Sequence, residues 1–295
     1  MGDKIIRVDG LTKKYEKFSL ERISFYVPRG YIMGFVGQNG AGKSTTIKCI
    51  LHLIDYDDGK IEVLELDNRK HSMEIKNRVG YVSEEQYFYE EMTVGWTGKF
   101  VGGFYSNWSD DYFNVLLNKF KLDRNKKVKD LSKGMKTKLA IVLAMGHRPE
   151  LLILDEPTSG LDPVARSELL EMFLDIIQDE SRSILFSSHI TSDIEKVADF
   201  VTIIDEGRIV LSEEKDSIMQ KWKLIKAENT YYREEVCSGL IGLKKGDWGF
   251  SGVTDNAESF ALNFKKLFPG GSFKTEKINL DELLIRMVKE AEVRC

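Results

Sequence analysis

Gly37-Gln38-Asn39-Gly40-Ala41-Gly42-Lys43-Ser44-Thr45 fits the phosphate-loop pattern G-x-x-x-x-G-K-[ST]. Before it, the apolar stretch Tyr31 to Val36 predicts a buried strand, and after it Thr46 to Leu53 predicts a helix. Strand, glycine loop and helix is the order a triphosphate cradle needs. The glycines let backbone N–H groups turn inward around phosphate oxygens, and the helix N-terminus adds roughly half a positive charge at the same spot. In that arrangement Lys43 reaches the β- and γ-phosphates and Ser44 offers its hydroxyl to Mg²⁺.

The rest of the composition sets bounds. With 295 residues, 42% of them hydrophobic, the chain can bury a sizeable core and is long enough for two domains. A net charge of −4 argues against a nucleic-acid binder. Cys49, Cys237 and Cys295 are odd in number and scattered, which suggests neither a disulfide framework nor a metal cluster and fits a reducing compartment. The start MGDKIIRVDG carries no apolar signal core, and no window approaches the 18 or so apolar residues of a spanning helix. These features predict a cytosolic protein.

Strand-like runs occur at Ile5 to Val8, Ile23 to Val27, Lys60 to Leu64 and Arg78 to Val82, with Asp57-Asp58-Gly59 reading as a turn. From about Glu84 to Arg148 strand signals vanish and helical ones take over. They return at Leu151 to Leu154, Ser183 to Ser187 and Val201 to Ile204, with a helical pattern over Pro163 to Asp179. The expected fold class is α/β: a mixed sheet core with a helical insert at about 84–148, occupying residues 1–220, followed by a small α+β accessory domain over 221–295. That domain's last helix is expected over Leu280 to Glu290, capped by Asn279 with Glu282 three residues on, its apolar side (Leu283, Leu284, Met287, Val288) packed against Phe260 to Leu267 or against a twin subunit.

A second chemical signal is Leu151-Leu152-Ile153-Leu154-Asp155-Glu156-Pro157, a buried strand with two carboxylates at its C-terminal end, where open parallel sheets hold their ligands. Neighbouring strand residues face opposite ways, so the two can take different roles: Asp155 in the Mg²⁺ shell, Glu156 orienting the attacking water. A third is Leu131-Ser132-Lys133-Gly134-Met135, which by itself reads as an N-cap on an amphipathic helix.

Together these segments resemble the ATP-binding cassette (ABC) ATPases, a P-loop NTPase family whose order is phosphate loop, LSGGQ signature, then an LLxLDEP strand. Ser159-Gly160-Leu161-Asp162 resembles the D-loop, Ser187-Ser188-His189 the switch histidine, and Tyr15 in Leu11-Thr12-Lys13-Lys14-Tyr15 the aromatic that stacks on adenine. The resemblance covers about residues 3–220. It implies an ATPase using ATP and Mg²⁺, with Glu156, His189 and Lys43 catalytic. Tyr15, the loop from Gly37 to Thr45, Glu84, Ser132, Gly134 and Asp162 would bind nucleotide, and Ser44, Glu84 and Asp155 would hold the metal. In the family two cassettes pair head to tail, so that Ser132 and Gly134 would face the ATP held by the other copy. Lys133 and Met135 depart from LSGGQ, and Met135 cannot donate the hydrogen bond of a glutamine. In the Q-loop, Gly80-Tyr81-Val82-Ser83-Glu84-Glu85-Gln86, a gapless register puts Glu84 at the metal-touching position and two extra residues would put Gln86 there.

Trp96, Phe100 and Phe104 recur at helical spacing and serve either core packing or a groove for a permease helix. Basic residues from Lys119 to Lys138 read as a solvated face, with contact to lipid headgroups as the alternative. The short Q-loop region, the Glu84 register and the extra domain resemble ABC-2 type exporter ATPases. This implies a separate ABC-2 type permease as partner, a second cassette, most simply a homodimer, no nucleic acid, and a peripheral location on the cytoplasmic face of the cell membrane. A soluble cassette ATPase acting on ribosomes or DNA is the alternative, disfavoured by the single motif set and the absence of a heptad run.

Overall fold

The computed structural model describes residues 3–293, with side chains as far as residue 288. It divides into two units, one up to Ser212 and one from Glu213. The division falls before Gln220 because the helix Lys215–Lys221 belongs with the second unit, where Lys221 pairs with Asp255 at 3.5 Å.

The first unit begins with β1 (Lys4–Lys14), β2 (Ser19–Pro28) and β3 (Ile32–Val36), then α1 (Lys43–Ile50), β4 (Asp58–Val63), β5 (Leu66–Asp67), α2 (Ser72–Arg78) and β6 (Val79–Val82). Helices α3 (Val94–Gly102), α4 (Asp110–Lys119) and α5 (Lys133–Met145) follow. The chain then returns to the sheet with β7 (Leu151–Leu154), α6 (Pro163–Ile177), β8 (Ser183–Ser188), α7 (Thr191–Val197), β9 (Phe200–Asp205) and β10 (Arg208–Glu214). Strands β2, β1, β4 and β5 form one sheet, antiparallel throughout. A second sheet has the order β10-β9-β3-β8-β7-β6, and the five strands from β9 to β6 run parallel. Every residue of β3, β7 and β8 is buried, which is why β3 and β7 read as unbroken apolar runs rather than alternating ones, while β8 places its apolar residues between buried serines.

Two local readings change. Arg78 closes α2 instead of opening a strand. Asp58 and Gly59 do not make a free turn but start β4: Gly59 has φ +102°, and a Cβ there would lie 2.7 Å from the Gly10 backbone, where the β1–β4 register slips. Only glycine fits that close approach.

Behind α5, His147 is fully buried and its ring stacks on Tyr105 at 4.0 Å. Burial pushes its imidazole down from 6.5 to about 4, against an opposing contact with the Val79 backbone. A base with a depressed folded pKa stabilises above its unfolded pKa and loses that contribution as pH falls toward the folded one. Stability is therefore expected to decline between pH 6.5 and 4 with a slope of up to about 1.4 kcal/mol per pH unit for one proton. Denaturant midpoints compared at several pH values check this: His147→Phe should flatten the decline, and an unchanged slope would exclude His147 as its source.

The second unit contains α8 (Lys215–Lys221), β11 (Lys223–Glu228), α9 (Glu234–Cys237), β12 (Ile241–Lys245), β13 (Gly249–Thr254), α10 (Ala257–Leu267), β14 (Lys274–Lys277) and α11 (Leu280–Val293). Its antiparallel sheet has the order β12-β13-β11-β14. Phe260 and Phe264 of α10 cover the face bearing Ile225, Ala227 and Phe250. The apolar side of α11 is buried, but not against α10: Arg286 donates to the Gly242 carbonyl (2.9 Å) and to the Ser251 hydroxyl (3.1 Å), and the Ser251 side chain lies on the face opposite that of Phe250. The sheet separates the two helices. Asn279 caps α11, accepting from the Glu282 N–H at 2.8 Å.

Candidate active site

Four adjacent parallel strands, β3, β8, β7 and β6, deliver their C-terminal ends to one edge of the sheet. In register, Val36 lies beside Ser188, Leu154 beside Phe186, and Val82 beside Leu154. The segments leaving these ends are the loop from Gly37, the His189 turn, the Asp155-Glu156 pair and Ser83-Glu84. Segments far apart in the chain thus converge because the sheet order sets their strands side by side.

The phosphate loop depends on its glycines, most tightly at Gly42 and Gly37. Gly42 has φ +110°, and a Cβ there would lie 2.6 Å from Leu20 and 2.8 Å from Phe18; at Gly37 a Cβ would lie 2.4 Å from the Ile204 carbonyl oxygen. Gly42 is the N-cap of α1 and no side chain caps the helix, leaving its first N–H groups for a ligand. Around the loop is a cleft of about 550 Å³ lined by Lys17, Phe18, Asn39, Gly40, Gly42, Lys43, Ser44, Thr45, Glu84 and Glu156.

Within it Lys43 is buried, its Nζ donating to the carbonyls of Gly37 (2.8 Å) and Gln38 (3.1 Å) and pairing with Glu156 Oε1 at 3.0 Å. The second Glu156 oxygen lies 2.8 Å from His189 Nδ1. Ser187 Oγ donates to Asp155 Oδ1 (2.6 Å) and accepts from the Glu156 N–H (2.8 Å). Lys43, Glu156, His189, Asp155 and Ser187 therefore form one connected polar network. In the sequence Ser187 stands only as a near neighbour of His189, and no spacing rule distinguishes it from Ser188.

Other expected site residues lie outside this network. Glu84 lines the cleft, while Gln86 is not among its lining residues. Tyr15 is half-exposed, with Lys13 Nζ 5.3 Å from its ring centroid, and it is Phe18, three residues on, that reaches the cleft. Ser132 caps α5 by accepting from the Met135 N–H at 3.2 Å, and buried Gly134 leaves 2.9 Å between a Cβ built on it and that of Ala165. Asp162 caps α6, its Oδ1 accepting from Val164 (2.9 Å) and Ala165 (3.0 Å). None of these three lines the cleft of its own chain.

Residues 20–159 match the family model described as ABC transporter. The Bacitracin transport ATP-binding protein BcrA of Bacillus licheniformis is 37% identical over 211 residues, covering 70% of this chain and 68% of that protein. The Lantibiotic transport ATP-binding protein SrtF of Streptococcus pyogenes is 35% identical over 215 residues, covering 72% of this chain and 92% of its own length. The chain belongs to the ABC transporter family. Its fold is that of an α/β P-loop cassette: a solved structure titled "Structure of ATP binding subunit of ABC transporter" superposes with a TM-score of 0.65 at 31% identity, covering 73% of this chain and 92% of that one. The cassette binds and hydrolyses ATP as the energising subunit of a transporter. Among the described residues no helix is long and apolar enough to cross a membrane.

Proposed function

We propose that this cassette pairs with a second copy and drives export through a separate ABC-2 type permease at the cytoplasmic face of the membrane. The observation that carries the permease reading is an aromatic ladder that runs along α3 and its flanking segments. Tyr89 packs edge-on against Trp96 and Phe100 (5.7 and 5.5 Å), Trp96 stacks on Phe100 at 5.2 Å, and Phe104 extends the row, all at least one-third exposed. A contiguous exposed aromatic surface of this kind suits a helix laid across it. The named cargoes of the relatives support an antibiotic or bacteriocin as the exported compound. Pairing is supported by the signature, whose Ser132 and Gly134 have no part in the cleft of their own chain and would complete a partner's.

Mg²⁺ fits the donor set, because the Ser44 hydroxyl and the Glu84 and Asp155 carboxylates are hard oxygen ligands, and Ser44 and Glu84 face the same cleft as Lys43. The ion would neutralise phosphate charge. Lys43, released from Glu156, neutralises phosphate from the loop side, and Glu156 is then free to orient water while His189 holds its second oxygen.

The test is recovery of the membrane partner. A tagged chain isolated from detergent-solubilised membranes is expected to bring a polytopic protein with it, and Trp96→Ser combined with Phe100→Ser should lower that recovery about tenfold or more while ATP binding stays unchanged. Full recovery with the double variant would exclude the ladder as the docking face.

A further inference from the structure

Ser187 is fully buried on β8 among Leu185, Phe186 and other apolar neighbours. A hydroxyl in such a place is costly unless its hydrogen-bonding capacity is used. Here its donor goes to Asp155 Oδ1 at 2.6 Å, and an acceptor site goes to the Glu156 N–H at 2.8 Å. One hydroxyl thus ties together two consecutive residues with different chemical duties. Ser188 does not duplicate it, since its Oγ accepts from the Ile190 N–H at 3.0 Å.

The second of those residues is held in an uncommon conformation. Glu156 has φ +48°, the left-handed region that a side-chain-bearing residue enters only when its surroundings impose it. Its carboxylate has two anchors, Lys43 at 3.0 Å and His189 at 2.8 Å, and its carbonyl accepts from the Ser159 N–H at 3.1 Å. When Lys43 turns to phosphate, one side-chain anchor is lost at the moment the carboxylate must hold water in line. The backbone contact from Ser187 remains, because Ser187 does not line the cleft and meets no ligand.

We propose that Ser187 is a positioning residue for ATP hydrolysis: it fixes the backbone of Glu156 in its left-handed turn and locks one oxygen of Asp155, so that the two carboxylates keep a set separation while Lys43 changes partner. This rests on the reading of Glu156 as the water-orienting base. Ser187 contributes nothing to holding ATP and acts only through its two neighbours. A purely structural serine would alter stability or nucleotide affinity; a positioning serine alters kcat.

The experiment measures kcat, KM and ATP affinity in the full-length chain for Ser187→Ala, Ser187→Cys and Ser187→Thr. Removing one hydrogen bond to a charged group predicts a fall of about 10- to 100-fold in kcat for the alanine variant, with the ATP dissociation constant within about twofold of the parent. Cysteine, close in size but a weak donor, should show the same split even if the alanine variant folds poorly, and threonine should recover part of the rate. Unchanged kcat in a folded alanine or cysteine variant overturns the proposal. So does a loss of ATP affinity that accounts for the whole rate change. Glu156→Gln serves as the companion measurement: retained turnover there overturns the reading of Glu156 itself, whereas loss there with normal turnover in the Ser187 variants overturns only the role of Ser187.

Discussion

Glu156→Gln is expected to bind ATP at least as well as the parent and to lose more than about 100-fold of its turnover, the scale of a missing general base. Gln keeps the shape of the side chain and can still meet His189, now 2.8 Å from Glu156 Oε2, but it cannot take a proton from water. ATP affinity should not fall, because the charge removed is the one that holds Lys43 in the nucleotide-free cleft and faces the phosphates once they arrive. With hydrolysis blocked, the ATP-bound pair of cassettes should accumulate. Steady-state phosphate release and sedimentation velocity with ATP read the two effects, and normal turnover would remove Glu156 from the role.

Lys43→Met carries the second large effect, and it acts twice. The variant loses the ammonium that the phosphate loop presents to ATP, so affinity should drop by about 100-fold or more, in keeping with the loss of a desolvated charge contact. It also strands a carboxylate: Lys43 and Glu156 pair at 3.0 Å with both side chains 5% exposed. Removing one partner of a buried pair typically costs about 3–5 kcal/mol, because the remaining charge is uncompensated. The nucleotide-free protein should therefore unfold at lower denaturant than the parent. Lys43→Met combined with Glu156→Gln should regain most of that stability while still failing to bind ATP. If the single variant is as stable as the parent, the pair is not formed in solution.

Much of this site was legible in the chain because its chemistry is local. A phosphate loop needs its glycines within a few residues of Lys43, and the Asp155-Glu156 pair needs only a buried strand in front of it, so both could be read from contiguous sequence. The helical insert was visible for the same reason, as was the Asn279 cap. The side on which α11 packs was not, since an amphipathic stripe says that a face is buried and not against what; the answer depended on Arg286 reaching Gly242 and Ser251 across the sheet. The turn read at Asp57-Asp58-Gly59 failed because a glycine with positive φ looks the same in a loop and in a strand pressed against another backbone.

The amino-acid sequence by itself determined the family and the nucleotide and named the candidate reacting groups, since each was read from a short contiguous segment. The tertiary structure alone decided how those segments meet. The order of the parallel strands β3, β8, β7 and β6 brings residues from four separate parts of the chain to one edge, and only there does Lys43 find Glu156, Glu156 find His189, and the Ser187 hydroxyl bridge Asp155 to Glu156. Side-chain pairings between distant segments are set by strand register and burial, and neither leaves a spacing pattern in the sequence.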